Sequence, residues 1–208
     1  MKYNIKIYSD FTCPFCYLGK GIIRELKKNF IIEDQWISYQ MNPELPDEGM
    51  SLSDYFKGFE VKNLLSPLIE RAKYFKLPFK DLDYIYNSSL ALQAAEYARE
   101  KGKYEEFSFK VFKEYFGNQE NISSTEVLGR IADSVGLDSA EMVKKLNEGA
   151  YLEKLEENQK LAASDNVHSI PTFIINDEYR LSGAQPLEVF EGLLLEIYEN
   201  KVFNNKNS

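Results

Sequence analysis

The feature that most restricts how this chain can fold is the tetrapeptide Cys13-Pro14-Phe15-Cys16. It holds the only two cysteines and sits between two segments of different periodicity. Before it, Tyr3-Asn4-Ile5-Lys6-Ile7-Tyr8 alternates as a half-buried strand does, with Tyr3, Ile5 and Ile7 on one face. After it, Leu18, Ile22, Ile23, Leu26 and Phe30 recur at helical spacing. Pro14 suits the first helical position, because its missing N–H would find no partner there and its fixed φ fits the helix. Cys13 then caps the helix and Cys16 is its third residue. Free backbone N–H groups and the positive end of the helix dipole face the Cys13 sulfur, which favours its anion. A redox-active dithiol is the expected chemistry, with Cys13 the attacking and Cys16 the resolving thiol.

Two plainer uses of a C-x-x-C compete with that reading. Tetrahedral zinc needs two further Cys or His ligands, and this chain has one histidine, His168, left to offer. No metal is therefore expected. An inert structural pair, or a remnant of a redox fold, stays open beside the catalytic reading; the strand–CPxC–helix context weighs against it.

Composition narrows the partners and the compartment. With 208 residues, 44% of them hydrophobic, the chain can bury a large core. A net charge of −8 argues against nucleic acid, whose phosphates require a basic face. Met1-Lys2-Tyr3-Asn4 runs straight into the first strand, so no secretory leader is expected. No apolar run reaches the roughly 18 or more residues that span a bilayer, so no membrane partner is expected. The cytosol is the expected compartment; thiols there are mostly reduced, and a lone C-x-x-C reads as catalytic.

A second strand is expected at Trp36-Ile37-Ser38-Tyr39-Gln40-Met41, before Asn42-Pro43 and Pro46 break the pattern. From there to about Gly149 the pattern is helical throughout. Asn87 or Ser88 can cap a helix ending near Gly102. Ser123 with Glu126, and Asp138 with Glu141, have the spacing of capping boxes. Pro67 is expected to kink or restart a helix. Tyr104, Phe107, Val111, Phe112, Tyr115 and Phe116 resemble a ligand box at first, but their spacing favours a packed helix face that can also line a groove. After a charged helix around Leu152 to Ala163, a hairpin is expected from Ile170–Asn176 and Tyr179–Ser182, followed by an amphipathic helix from Pro186.

The order is thus β-α-β, a helical block, and α-β-β-α, the layout of a thioredoxin-like α/β fold interrupted by an inserted all-helical domain. The expected boundaries are 1–45 and 150–203 for the two parts of the thioredoxin-like domain, 46–149 for the insertion and 204–208 for a flexible tail.

Ser9-Asp10-Phe11-Thr12-Cys13-Pro14-Phe15-Cys16-Tyr17-Leu18-Gly19, Ile170-Pro171-Thr172-Phe173 and Leu181-Ser182-Gly183-Ala184-Gln185-Pro186 together resemble the DsbA-like thioredoxin family, in particular its cytosolic FrnE-like branch. The resemblance implies a thiol–disulfide oxidoreductase acting on protein or small-molecule thiols and disulfides. It makes Cys13 the attacking and Cys16 the resolving cysteine, and Ile170-Pro171 a cis dipeptide facing the site. Pro14, Phe15, Ile170 and Pro171 become the expected substrate contacts. An X-Pro bond tolerates cis far better than others, and an exposed backbone edge at Ile170 suits an extended substrate. No cofactor beyond the Cys13–Cys16 pair is implied, with glutathione a possible co-substrate.

The best-known periplasmic members carry a histidine inside the dipeptide, where this chain has Phe15. Phe15 supplies neither charge nor hydrogen bond to a thiolate, so a less oxidising pair is expected within the span of about −120 to −270 mV. Asp10 can accept a proton, but capping nearby amides is the expected role. His168 lies close enough to Ile170-Pro171 to reach the site, and is expected to be solvated. The fold also resembles that of kappa-type glutathione transferases and 2-hydroxychromene-2-carboxylate isomerases, which typically present a serine where this chain has Cys13. A third reading is a thioredoxin-like adaptor that holds client proteins. Oligomeric state is left open.

Overall fold

The structure is a computed structural model and describes residues 1–206. In chain order the first elements are β1 (Lys2–Ser9), α1 (Pro14–Leu26) and β2 (Ile31–Ser38). There follow β3 (Met50–Ser51), α2 (Leu52–Tyr55), α3 (Val61–Tyr74), β4 (Tyr84–Ile85), α4 (Ser89–Glu100) and α5 (Tyr104–Asn118). The chain continues through α6 (Thr125–Ser134), α7 (Ser139–Asn147), α8 (Leu152–Ser164), β5 (Thr172–Ile175), β6 (Tyr179–Ser182) and α9 (Leu187–Lys206).

The main sheet has the order β2-β1-β5-β6. β1 pairs parallel with β2, and antiparallel with β5, which pairs antiparallel with β6. The β1-α1-β2 crossover and the β5–β6 hairpin therefore meet at the centre of one sheet, and residues 39–171 run between them in the chain. This is the thioredoxin-like arrangement with a helical interruption. Tyr3, Ile5 and Ile7 are buried on one face of β1, as their alternation implies. α9 closes the core from the side: Phe190 meets Phe173 of β5 edge-on at 4.8 Å, and the Tyr3 hydroxyl donates to the Leu194 carbonyl at 2.7 Å.

The insertion packs its aromatic stripe against α1. Tyr17 stacks on Phe112 at 5.4 Å and on Phe116 at 5.2 Å. Each such ring removed from water contributes roughly 1.5–3 kcal/mol. Two glycines let α1 come close to its neighbours. A Cβ on Gly19 would stand 3.2 Å from Phe173 and 3.7 Å from Pro171, and one on Gly21 only 2.7 Å from the Phe75 Cβ.

Several elements differ from the sequence expectation. β2 begins at Ile31 and ends at Ser38, not at 36–41. Ile31, Glu33 and Gln35 share the solvent-facing side of this edge strand, and the polar run Glu33-Asp34-Gln35 masked it. The region read as wholly helical contains a two-stranded sheet of β3 and β4, too short to show a period. α3 runs through Pro67 as one helix. The α6 cap is Ser124, which accepts from the Val127 N–H, while Ser123 donates to the Asp47 carbonyl at 2.6 Å. Asp138 caps α7 by accepting from the Glu141 N–H at 2.9 Å. α9 continues to Lys206, into the stretch expected as a tail; residues 207–208 lie outside the described residues.

Candidate active site

Cys13 is the N-cap of α1, with φ −86° and ψ 114°, and Pro14 follows in the first turn. Its side chain makes no capping bond, which leaves the sulfur free for other contacts. The thiol points instead at the Ile170 carbonyl, 3.7 Å away. The Cys13 carbonyl accepts the Cys16 N–H at 3.0 Å and the Tyr17 N–H at 3.3 Å, starting the helix. No acidic residue occupies the first turn, so nothing there opposes a negative sulfur at the helix terminus.

Both thiols are free, and Cys16 is fully buried. Burial pushes the Cys16 thiol well above its ordinary value, and the neighbouring Cys13 pushes the same way. The Asp10 N–H and the Ser9 hydroxyl, hydrogen-bonded to its sulfur, pull against this. Burial thus favours the protonated form of the interior thiol.

Ile170-Pro171 is a cis peptide directly before β5. Its loop is fastened on both sides: the Thr172 hydroxyl donates to the Ser169 carbonyl at 2.7 Å, and the Gly183 N–H to the Pro171 carbonyl at 2.7 Å. Arg71 of α3 donates to the Ala184 carbonyl at 2.7 Å, tying the insertion to the loop after β6.

Beside Cys13 lies a cavity of about 410 Å³. Thr12, Pro14, Phe15 and Ile170 contribute its core side, and Leu65, Leu68, Tyr115 and Phe116 belong to its insertion side. Among the described residues no charged side chain lines it. Hollows of about 550 and 480 Å³ lie elsewhere, one along β1 and β2 and one near the chain termini. Neither contains a thiol, so chemistry singles out the smaller space. Phe15 is 42% exposed at the mouth, and the last turn of the aromatic stripe both packs and lines the cavity.

Of the remaining expected site residues, Asp10 is fully buried under the Cys13 turn, its Oδ1 accepting the Thr12 N–H at 2.9 Å. His168 is exposed on the loop before Ile170. Among the described residues no group of His, Cys, Asp and Glu could hold a metal ion. Sequence reasoning missed the far wall of the cavity, including Met41, Leu52 and Tyr55. These come from segments with no shared period; the apolar residues Leu64, Leu65 and Leu68 were the available signal. Lys20 was also missed. It is buried on α1, with its Nζ 2.7 Å from Glu105 and 4.2 Å above the Trp36 ring. Burial pushes its pKa down and Glu105 opposes the shift, consistent with a clamp between α1 and α5.

A family model described as the DSBA-like thioredoxin domain matches residues 4–195. Among curated proteins, the uncharacterized protein YwbO of Bacillus subtilis is 28% identical over 202 residues, covering 97% of this chain and 100% of that protein. Among solved structures, a probable DsbA oxidoreductase of Streptomyces coelicolor superposes with a TM-score of 0.87 at 24% identity, covering 95% of this chain and 90% of the other. A 2-hydroxychromene-2-carboxylate isomerase superposes with a TM-score of 0.76 at 17% identity, covering 96% and 98% of the two chains. At these identities the two superpositions show a shared fold.

Proposed function

Since the chain belongs to the family of DSBA-like thioredoxin domains, we propose that it is a thiol–disulfide oxidoreductase working through Cys13 and Cys16. The observation that carries this reading is the free dithiol itself, with Cys13 at the helix terminus, 3.7 Å from the Ile170 carbonyl, at the edge of an apolar cavity.

In the proposed cycle the Cys13 thiolate attacks one sulfur of a substrate disulfide. The S–S bond breaks, the second substrate sulfur leaves as a thiolate and takes up a proton, and a mixed disulfide joins Cys13 to the substrate. Cys16 then loses its proton and attacks the Cys13 sulfur, releasing the remaining substrate thiol. The pair ends oxidised as Cys13–Cys16, and its two electrons reside in the substrate dithiol. Two equivalents of a small thiol, glutathione being the cytosolic class, would reduce the pair again, the first forming a mixed disulfide that the second displaces as the oxidised small-molecule disulfide; run in reverse, the cycle oxidises dithiols.

Ile170 offers a backbone edge to an extended substrate, Pro14 and Phe15 border the approach, and the cavity accepts an apolar group next to the reacting sulfur. Protein disulfides flanked by apolar side chains fit this better than highly charged small molecules. The cytosol is the proposed compartment, where the net direction is reduction or isomerisation. The presence of both thiols supports exchange over a glutathione-dependent isomerisation, which does not call for Cys16.

Equilibrating the protein in graded reduced and oxidised glutathione, then alkylating the remaining thiols, tests this. The expected result is one two-electron transition between about −120 and −270 mV that requires both cysteines. A protein that never forms the Cys13–Cys16 disulfide, or a glutathione-dependent isomerase rate surviving Cys16→Ser, would overturn it.

A further inference from the structure

The cycle above gives Asp10 no step, yet its carboxylate is fully buried and faces four donors from three segments. Oδ1 accepts the Thr12 N–H at 2.9 Å and the Thr12 hydroxyl at 3.0 Å. Oδ2 accepts the Met41 N–H at 2.7 Å and the Ser88 hydroxyl at 3.0 Å. Met41 follows β2, and Ser88 is the N-cap of α4, its side chain turned away from its own helix. With each oxygen engaged twice, Asp10 is built to hold its neighbours rather than to carry a proton between sulfurs. Its main chain reaches both cysteines: the carbonyl accepts the Cys13 N–H at 3.2 Å, and its N–H bonds the Cys16 sulfur.

We propose that Asp10 is a positioning residue for the second half of the exchange: by locking the Thr12 turn to Met41 and Ser88, it holds Cys16 in line with the Cys13 mixed disulfide. The proposal rests on the exchange reading. Capture of a small disulfide by Cys13 is bimolecular and brings its own orientation. Resolution is intramolecular and depends on the fixed geometry of three sulfurs, where a displacement of about 1 Å can cost on the order of 100-fold in rate. Thr12 and Met41 also line the cavity, so the same carboxylate ties the thiols to the substrate wall.

Asp10→Asn keeps the size but replaces one acceptor oxygen by a donor. That donor must then face a backbone N–H, from Thr12 or Met41, which cannot rotate away. Ser88→Ala removes one of the four donors from outside the site. The test follows both variants and the wild-type protein, fully reduced, with 5,5′-dithiobis(2-nitrobenzoate) under stopped flow. The first thionitrobenzoate released reports attack by Cys13, and the second reports resolution by Cys16. Asp10→Asn is expected to leave the first phase within about twofold and slow the second about tenfold or more. Ser88→Ala is expected to slow the second phase by a smaller factor.

A lower melting temperature with an unchanged ratio of the two phases would overturn the proposal and make Asp10 a fold residue alone. Should Asp10→Asn fail to fold, Ser88→Ala decides: a slowed second phase supports the proposal and an unchanged one overturns it. A wild-type protein that gives no second release would overturn the exchange reading itself, and the positioning role with it.

Discussion

Cys13 and Cys16 are separated by one helical turn and by what surrounds their sulfurs. Cys13 looks across at Ile170 and the cavity, while Cys16 is enclosed with the Asp10 N–H and the Ser9 hydroxyl. Between them, Phe15 supplies neither charge nor hydrogen bond and cannot stabilise an anion. Phe15→His would place a hydrogen-bonding, chargeable ring beside the sulfur and favour the reduced pair. The expected outcome, read by glutathione equilibration, is a potential more positive by about 30 mV, close to 1.4 kcal/mol for a two-electron couple. An unchanged potential would show that residue 15 does not set the poise, and a more negative one would contradict the direction argued here. The spacing of these residues was legible because it is local. The Asp10–Thr12 bond is local too, but its partners Met41 and Ser88 lie 31 and 78 residues away, and no pattern along one chain announces such a meeting.

α1 was readable from its apolar spacing and from Pro14, but that spacing says nothing of why two glycines stand inside it. In the fold, Gly19 faces Phe173 and Pro171, and Gly21 faces Phe75, so the missing side chains set how closely the helix approaches β5 and the insertion. Arg24 of the same helix donates to the Phe75 carbonyl. Gly21→Ala tests this because two effects oppose each other. Helix propensity alone predicts a gain of about 1 kcal/mol, whereas a new Cβ 2.7 Å from the Phe75 Cβ forces the packing apart. The expected result in denaturant unfolding is a net loss of roughly 1–3 kcal/mol, and a stabilised protein would contradict the packing described here. β2 was displaced in the sequence reading because Glu33, Asp34 and Gln35 interrupt the β-favouring residues on either side of them.

At the scale of the molecule, the order of strands and helices carried the architecture, because strand–helix–strand and hairpin units each leave a period. The cavity did not follow from it. Its walls come from the Cys13 turn, the Ile170 loop and several insertion elements, brought together by clamps between distant segments: Arg71 on Ala184, Lys20 on Glu105, Asp10 on Ser88. Exchange through this site requires that the assembly present Cys13 to a substrate disulfide and keep Cys16 back for the second attack. Cys16→Ala leaves the first step intact and removes the second, so mixed disulfides should persist long enough to isolate. Expressed in cells and alkylated on lysis, Cys16→Ala is predicted to carry covalent, reductant-sensitive adducts that disappear when Cys13→Ser is added. Absence of adducts, or adducts that persist without Cys13, would contradict the proposed exchange.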